Sequence, residues 1–190
     1  MSQSNASNEL NQITCCDEWK FKIKKILFTE NQINTRIVEL ASILSNDFKN
    51  KNVLCVGIMN GCLMFMTHLL EKVSFKYKMD CISLSSYGHS TETTGIVSMK
   101  KDLNIDPEGY DVLIIEDLID SGVTLDWLQQ YFTQKKCNSV SICCLLDKKE
   151  RRKKDVKVDY VGFECPNEFV IGYGMDYEDE YRCLPFVACL

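Results

Sequence analysis

Apolar and polar positions fall into two kinds of block along this chain. In the first, apolar residues recur at Ile33, Ile37, Leu40, Ala41, Leu44 and Phe48. That three-and-four spacing lines one face of a helix. Thr29-Glu30-Asn31-Gln32 just before it has the form of a capping box, whose side chains satisfy N–H groups left unpaired at a helix start. The second kind is a short continuous apolar run: VLCVGI at 53–58, DCISLSS at 80–86, VLIIED at 112–117 and SVSICCLLD at 139–147. Such runs predict strands buried on both faces. CLMFMTHLLEKV reads as a helix that is apolar nearly all round, and DWLQQYF at 126–132 as another. VDYVGFE and EFVIGYG predict two short strands with Pro166-Asn167 between them, and the final LPFVACL is apolar enough to dock onto the body.

Buried strands alternating with helices predict an α/β fold: a mainly parallel twisted sheet flanked by helices. The first 18 of the 190 residues are polar and aperiodic and read as a loose tail, leaving 19–190 as one domain, a length that can bury a sizeable core. No internal repeat or linker interrupts it. YGHSTETTGIVSMKKD, 87–102, is polar with Gly88 and Gly95 and predicts a long mobile loop or two-stranded flap. KKERRKK at 148–154 predicts a basic loop.

The formal net charge of −5 weighs against a dedicated nucleic-acid binder, which usually carries a basic surplus. The 11 cysteines are odd in number, and Cys55, Cys81, Cys143, Cys144 and Cys189 sit inside apolar runs, where a thiol acts as a small hydrophobe. No Cys-x-x-Cys pair is present, so a structural zinc site is not expected. These features point to a reducing compartment, the cytoplasm. The first residues lack the apolar segment of a signal peptide, and no apolar run approaches the roughly 20 residues of a membrane span. Only two histidines occur. His68 lies in an apolar helix and is expected in the core or an interface; His89 lies in the polar loop. A histidine-based triad or zinc hydrolase does not fit.

Chemistry concentrates in VLIIEDLIDSGVTL, 112–125. A buried strand ends in Glu116 and Asp117, Asp120 follows, and Ser121-Gly122-Val123-Thr124 opens a helix. In open α/β sheets ligands bind beyond the carboxyl ends of strands. A glycine that turns N–H groups inward, two hydroxyls and a helix N-terminus suit a phosphate monoester. The loop lacks the Gly-Lys-Ser/Thr ending of a Walker loop and is no GxGxxG turn. Carboxylates beside a phosphate cradle favour sugar hydroxyls or Mg²⁺ as neighbours. A sugar phosphate satisfies all three. An isolated Asp-Ser-Gly would read only as a helix-capping loop; the buried strand and the three acids favour a site.

VLIIEDLIDSGVTL resembles the phosphoribosyl-pyrophosphate (PRPP) motif of type I phosphoribosyltransferases. LSSYGHSTETTG is similar to that family's flap, LLDKK to its purine-contacting strand end, and EFVIGYGMDYEDEYRCLP to the C-terminal hood of its hypoxanthine-guanine branch. The resemblance runs from about Lys25 to Leu190. It implies the family's fold, with a small hood from about 160–190 plus N-terminal residues. It implies transfer of phosphoribose from PRPP to a 6-oxopurine, with Mg²⁺ as cofactor and a homodimer or homotetramer as the assembly. Glu116 and Asp117 would meet the ribose hydroxyls directly or through metal-bound water. Ser121, Gly122, Val123 and Thr124 would hold the 5′-phosphate. Asp120 matches the general base near purine N7. Lys148 matches the donor to the exocyclic oxygen, Phe169 the ring stacked on the base, and Val170 a backbone contact to its edge. Asp176 matches a Mg²⁺ ligand alongside Glu116 and Asp117. Arg182, Ser86, Tyr87, Asn60 and Gly61 match pyrophosphate contacts.

One departure is Asn60-Gly61, where many relatives carry Lys-Gly around a bond that is often a cis peptide. The rest of KKERRKK, and Glu178, Asp179 and Glu180, read as surface charge. That basic run also motivates a second hypothesis, an RNA-binding regulatory protein on the same fold with reduced catalysis. Substrates of the first hypothesis are small molecules, with no nucleic acid and no membrane.

Overall fold

The computed structural model describes residues 16–86 and 97–190. Among the described residues nine strands form two sheets. The larger has the order β4-β3-β2-β5-β6-β7, with β2 at Val53–Met59, β3 at Tyr77–Ser86, β4 at Val97–Lys101, β5 at Asp111–Ile119, β6 at Ser139–Asp147 and β7 at Tyr160–Glu164. All its neighbours are parallel except β4, which runs antiparallel to β3. This is the mainly parallel α/β sheet that the buried apolar runs predict.

Alternate residues of the central strands feed two cores, as the two-residue period of a strand requires. Cys55, Leu113, Ile115 and Cys143 pack with Ile33, Ile37, Leu40 and Leu44 of α2 (Glu30–Asp47) and Phe65 and Leu69 of α3 (Leu63–Leu70). Leu54, Val56, Val112, Ile114 and Ile142 face the other way, onto Leu125, Leu128 and Phe132 of α4 (Val123–Gln134). The helix α2 opens on the expected capping box, Thr29 with Gln32.

The smaller sheet is antiparallel, β1-β9-β8, from Lys25–Phe28, Val187–Cys189 and Val170–Ile171. It forms the hood. Its core is Ile23, Ile171, Tyr181, Leu184, Phe186 and Ala188, closed by Trp19 from α1 (Asp17–Lys22). The tail LPFVACL does dock, as β9.

Several sequence-based boundaries shift. Helix α1 starts inside the segment read as tail, because Trp19 finds the Tyr181 ring at 4.8 Å. Residues 97–101, read as part of a long polar loop or two-stranded flap, form β4, since Met99 packs against the second core and its backbone pairs with the edge of β3. Tyr160–Glu164 pairs with β6 in the main sheet rather than in the hood. Only two residues of EFVIGYG pair as strand, because Gly172, Tyr173 and Gly174 all take positive φ. Residues 87–96 of the expected flap, His89 among them, lie outside the described residues.

All ten described cysteines are free, and burial holds the Cys55 thiol up at about 12. Buried Asp80 ties β3 to the chain after β4. It accepts N–H groups of Asn104 at 2.6 Å, Ile105 at 2.9 Å and Cys81 at 2.8 Å, with Lys101 Nζ 3.5 Å away. Burial alone would raise its pKa, but those donors and the lysine outweigh burial and hold it below the usual carboxylate range. A carboxyl depressed in the folded state stabilises above its unfolded pKa and loses that contribution as pH falls. Asp80→Asn is therefore expected to lose about 1 to 3 kcal/mol of stability at pH 7. The gap to the parent should narrow below about pH 4, as urea unfolding curves at the two pH values would measure.

Candidate active site

Strand β5 delivers Glu116 and Asp117 at its carboxyl end, and the chain then turns through Asp120, Ser121 and Gly122 into α4. Gly122 has φ 79, and a Cβ there would stand 2.9 Å from Lys154 O and 3.0 Å from Arg152 Cδ. Only glycine fits this turn on both counts. The turn leaves the first N–H groups of α4 pointing away from the helix, the geometry that favours an anion.

Two clefts open on this corner. One, of about 210 Å³, is lined by Glu116, Asp120, Ser121, Gly122, Thr124 and the apolar Ile58 and Leu84. The other, of about 440 Å³, is lined by Asp117, Asp120, Lys148, Phe169, Val170 and Asp176. Asp120 and Leu118 line both. A ligand with a phosphorylated end and a planar end would pass Asp120 at the junction. Val123 lines neither cleft; it is the first residue of α4, and its N–H donates to Ser121 Oγ at 3.4 Å.

The electrostatics are unbalanced at the strand end. Burial, then the negative charge of adjacent Asp117, pushes the Glu116 carboxyl well above the usual range. Its Oε2 is buried with no hydrogen-bond partner. Such an oxygen is a standing acceptor for a hydroxyl, a metal or metal-bound water. Asp117 lies against Gly61, where a Cβ would stand 2.0 Å from its Oδ2. The cis peptide bond joins Met59 to Asn60, not Asn60 to Gly61 as the family comparison suggested.

Across the larger cleft, Lys148 is only 5% exposed and its Nζ donates to Glu168 O at 2.6 Å. It is not a solvated head. Phe169 is 56% exposed and stands edge-on to Tyr177, with centroids 5.6 Å apart. It is therefore not a core strand residue, whereas Val170 beside it is buried. Asp176 pairs with Arg182 Nη2 at 2.7 Å, and Arg182 Nη1 donates to Gly174 O at 2.9 Å. Ser86 ends β3, and Tyr87 lies outside the described residues. Among the described residues no group of three or more His, Cys, Asp or Glu is arranged to hold a metal by itself. The expected trio of Glu116, Asp117 and Asp176 thus forms no closed cage. That is compatible with Mg²⁺, which is commonly held by one or two carboxylates plus substrate phosphates.

Sequence reading missed the basic run. Arg151 lines the larger cleft and stands 3.3 Å from Asp120 Oδ1. Arg152 pairs with buried Asp147, and the N–H groups of Lys153 and Lys154 donate to Ser121 O at 2.9 and 3.1 Å. The run is folded against the phosphate-type turn and braces it. Nothing in the composition of KKERRKK separates a brace from a solvated face; the contact partner lies some thirty residues earlier in the chain. His68, expected in core or interface, is half-buried on α3.

A phosphoribosyl transferase domain model matches residues 25–178, and the chain belongs to the phosphoribosyltransferase family. The chain is 43% identical over 171 residues to the hypoxanthine-guanine phosphoribosyltransferase of Bacillus subtilis, covering 90% of this chain and 95% of that one. It is 41% identical over 168 residues to the enzyme of the same name from Staphylococcus epidermidis, covering 88% and 94%. A crystal structure of a hypoxanthine phosphoribosyltransferase from Staphylococcus aureus superposes with a TM-score of 0.88 at 41% identity, covering 92% and 95%.

Gly61→Ala tests the contact between the loop and the strand end. The added methyl would displace either Asp117 or the loop, so PRPP affinity is expected to fall by about tenfold to a hundredfold while the protein stays folded. Titration calorimetry with Mg²⁺-PRPP would measure this, and unchanged affinity would uncouple Gly61 from the site.

Proposed function

We propose that this protein is a purine-salvage enzyme that transfers the 5-phosphoribosyl group of PRPP to hypoxanthine and guanine, giving IMP or GMP plus pyrophosphate. The observation that carries this reading is the position of Asp120, where the phosphate-type cleft and the cleft holding Phe169 and Lys148 meet. In the reaction the bond from the anomeric carbon to pyrophosphate breaks, a bond to the purine nitrogen forms, and the purine gives up one proton. Asp120 receives that proton near N7. Ser121, Gly122, Val123 and Thr124 bind the 5′-phosphate through the helix start. Glu116 and Asp117 take the ribose hydroxyls, one of which donates to the buried Glu116 Oε2 that no protein group meets.

The base lies in the larger cleft. Phe169 offers an exposed face for stacking, and Val170 reads the edge through its backbone. The Lys148 ammonium keeps hydrogens beyond the one given to Glu168 O, and one of them meets the purine O6. Adenine presents a donor there, so an ammonium rejects it. Xanthine presents the same O6 to Lys148 and belongs to the same substrate class. Asn60, Gly61, Arg182, Ser86 and Tyr87 serve pyrophosphate. Asp176 with Glu116 and Asp117 would hold Mg²⁺, which would supply positive charge against the pyrophosphate. The enzyme works in the cytoplasm as a homodimer or homotetramer; ten free thiols suit a reducing compartment.

The RNA-binding alternative has no support. Its motive was the basic run, and four of its six cations already pair with an acid: Arg152 with buried Asp147, and at the surface Arg151 with Asp120, Lys149 with Glu164 and Lys154 with Asp126.

With Mg²⁺ and PRPP, purified protein is expected to convert hypoxanthine and guanine but not adenine. A chromatographic assay that found neither IMP nor GMP would refute the reading. Asp120→Asn is expected to lower kcat by about 10²–10⁴ while leaving PRPP affinity largely intact; unchanged kcat would remove Asp120 from the proton transfer.

A further inference from the structure

The proposed reaction leaves one part-buried polar pair without a task. His68 Nδ1 and the Tyr173 hydroxyl lie 2.6 Å apart. His68 stands on α3, which begins directly after the Asn60-Gly61 loop. Tyr173 belongs to the hood and is 1% exposed. It occupies the middle of Gly172-Tyr173-Gly174, with φ values of 87, 49 and 103. Glycine takes such backbone freely. A bulky side chain there is an outlier that its surroundings must hold in place. Two bonds do so, the one to His68 and the Tyr173 N–H to Leu184 O at 2.9 Å. Burial, with the charges of Glu30 and Glu71, raises the phenol pKa and keeps its proton available for the bond.

This turn has no slack against the site. A Cβ on Gly174 would stand 1.9 Å from Gly61 O, and one on Gly61 would stand 2.0 Å from Asp117 Oδ2. On its other side, Gly174 N–H donates to Arg182 O at 2.8 Å and Gly174 O accepts from Arg182 Nη1 at 2.9 Å. A shift of Tyr173 would reach the Gly61 backbone directly and Arg182, with its partner Asp176, through one residue.

We infer that His68 and Tyr173 are positioning residues: their hydrogen bond locks the hood turn onto the Asn60-Gly61 loop and so sets the geometry of the pyrophosphate half of the site. The inference rests on the reading of that loop as a pyrophosphate contact. The pair touches no substrate and acts through the backbone of Gly174 and Gly61. Its effect is expected on PRPP first, because Gly174 abuts Gly61 O and is hydrogen-bonded to Arg182.

Steady-state kinetics of Tyr173→Phe and His68→Leu test it. Tyr173→Phe keeps the ring and its packing and removes only the hydroxyl. KM for PRPP is expected to rise roughly three- to tenfold, the size of one ordinary hydrogen bond, with KM for hypoxanthine unchanged. The double variant should be no worse than the worse single one, since both remove the same bond. His68→Asn, which keeps a polar atom near the Nδ1 position, should recover most of the loss. Thermal melts of each variant separate this from a general loss of fold, which would move both KM values and kcat together. An unchanged KM for PRPP in both single variants, equal rises for both substrates, or additive effects in the double variant would each overturn the inference. Should the parent show no PRPP-dependent turnover, the proposed function itself falls; should the parent turn over while the variants match it, only this inference does.

Discussion

Two neighbouring carboxylates, Glu116 and Asp117, stand near the carboxyl end of the buried strand β5. Burial and mutual repulsion both oppose charging Glu116, and one of its oxygens has no partner. A fold selected for stability alone would replace such a pair or give it a counter-charge. Here the missing partners are left for a ligand. Ribose hydroxyls and a hard cation are what two such oxygens accept. The pair is therefore the place the account assigns to a ligand with hydroxyls or a hard cation.

That corner has support from outside the strand. Three elements supply it. The basic run closes behind the phosphate-type turn, with Lys153 and Lys154 on Ser121 O and Arg152 against Gly122. The Asn60-Gly61 loop presses on Asp117 from the neighbouring strand β2, and the hood presses on that loop through Gly174. The N-terminal segment in turn holds the hood, through Trp19 on Tyr181 and β1 on β9. Pieces from distant parts of the sequence therefore converge on one strand end, and glycines stand where the backbones meet most closely.

The layered sheet was legible because its signal is local: continuous apolar runs at 53–58, 112–117 and 139–147 can be buried only on both faces, and α2 carries its own cap at Thr29. The acid-rich turn was legible for the same reason, being one unbroken stretch. Three kinds of feature were not. Strand β4 is polar by composition and forms only because an edge of β3 is there to pair with. The basic run looks like a solvated face until Ser121 and Asp147 are placed beside it. The His68–Tyr173 bond spans two segments whose sequences carry no mutual signature, and His68 alone reads as an ordinary core histidine. Each of these depends on a tertiary partner, which periodicity and spacing cannot supply.

The most direct test of the account is a crystal structure of the protein with IMP or GMP bound. The account predicts ribose hydroxyls within hydrogen-bond distance of Glu116 or Asp117, the 5′-phosphate on the N–H groups from Ser121 to Thr124, and the base against the Phe169 ring. A nucleotide bound elsewhere, with the end of β5 still lacking partners, would contradict it.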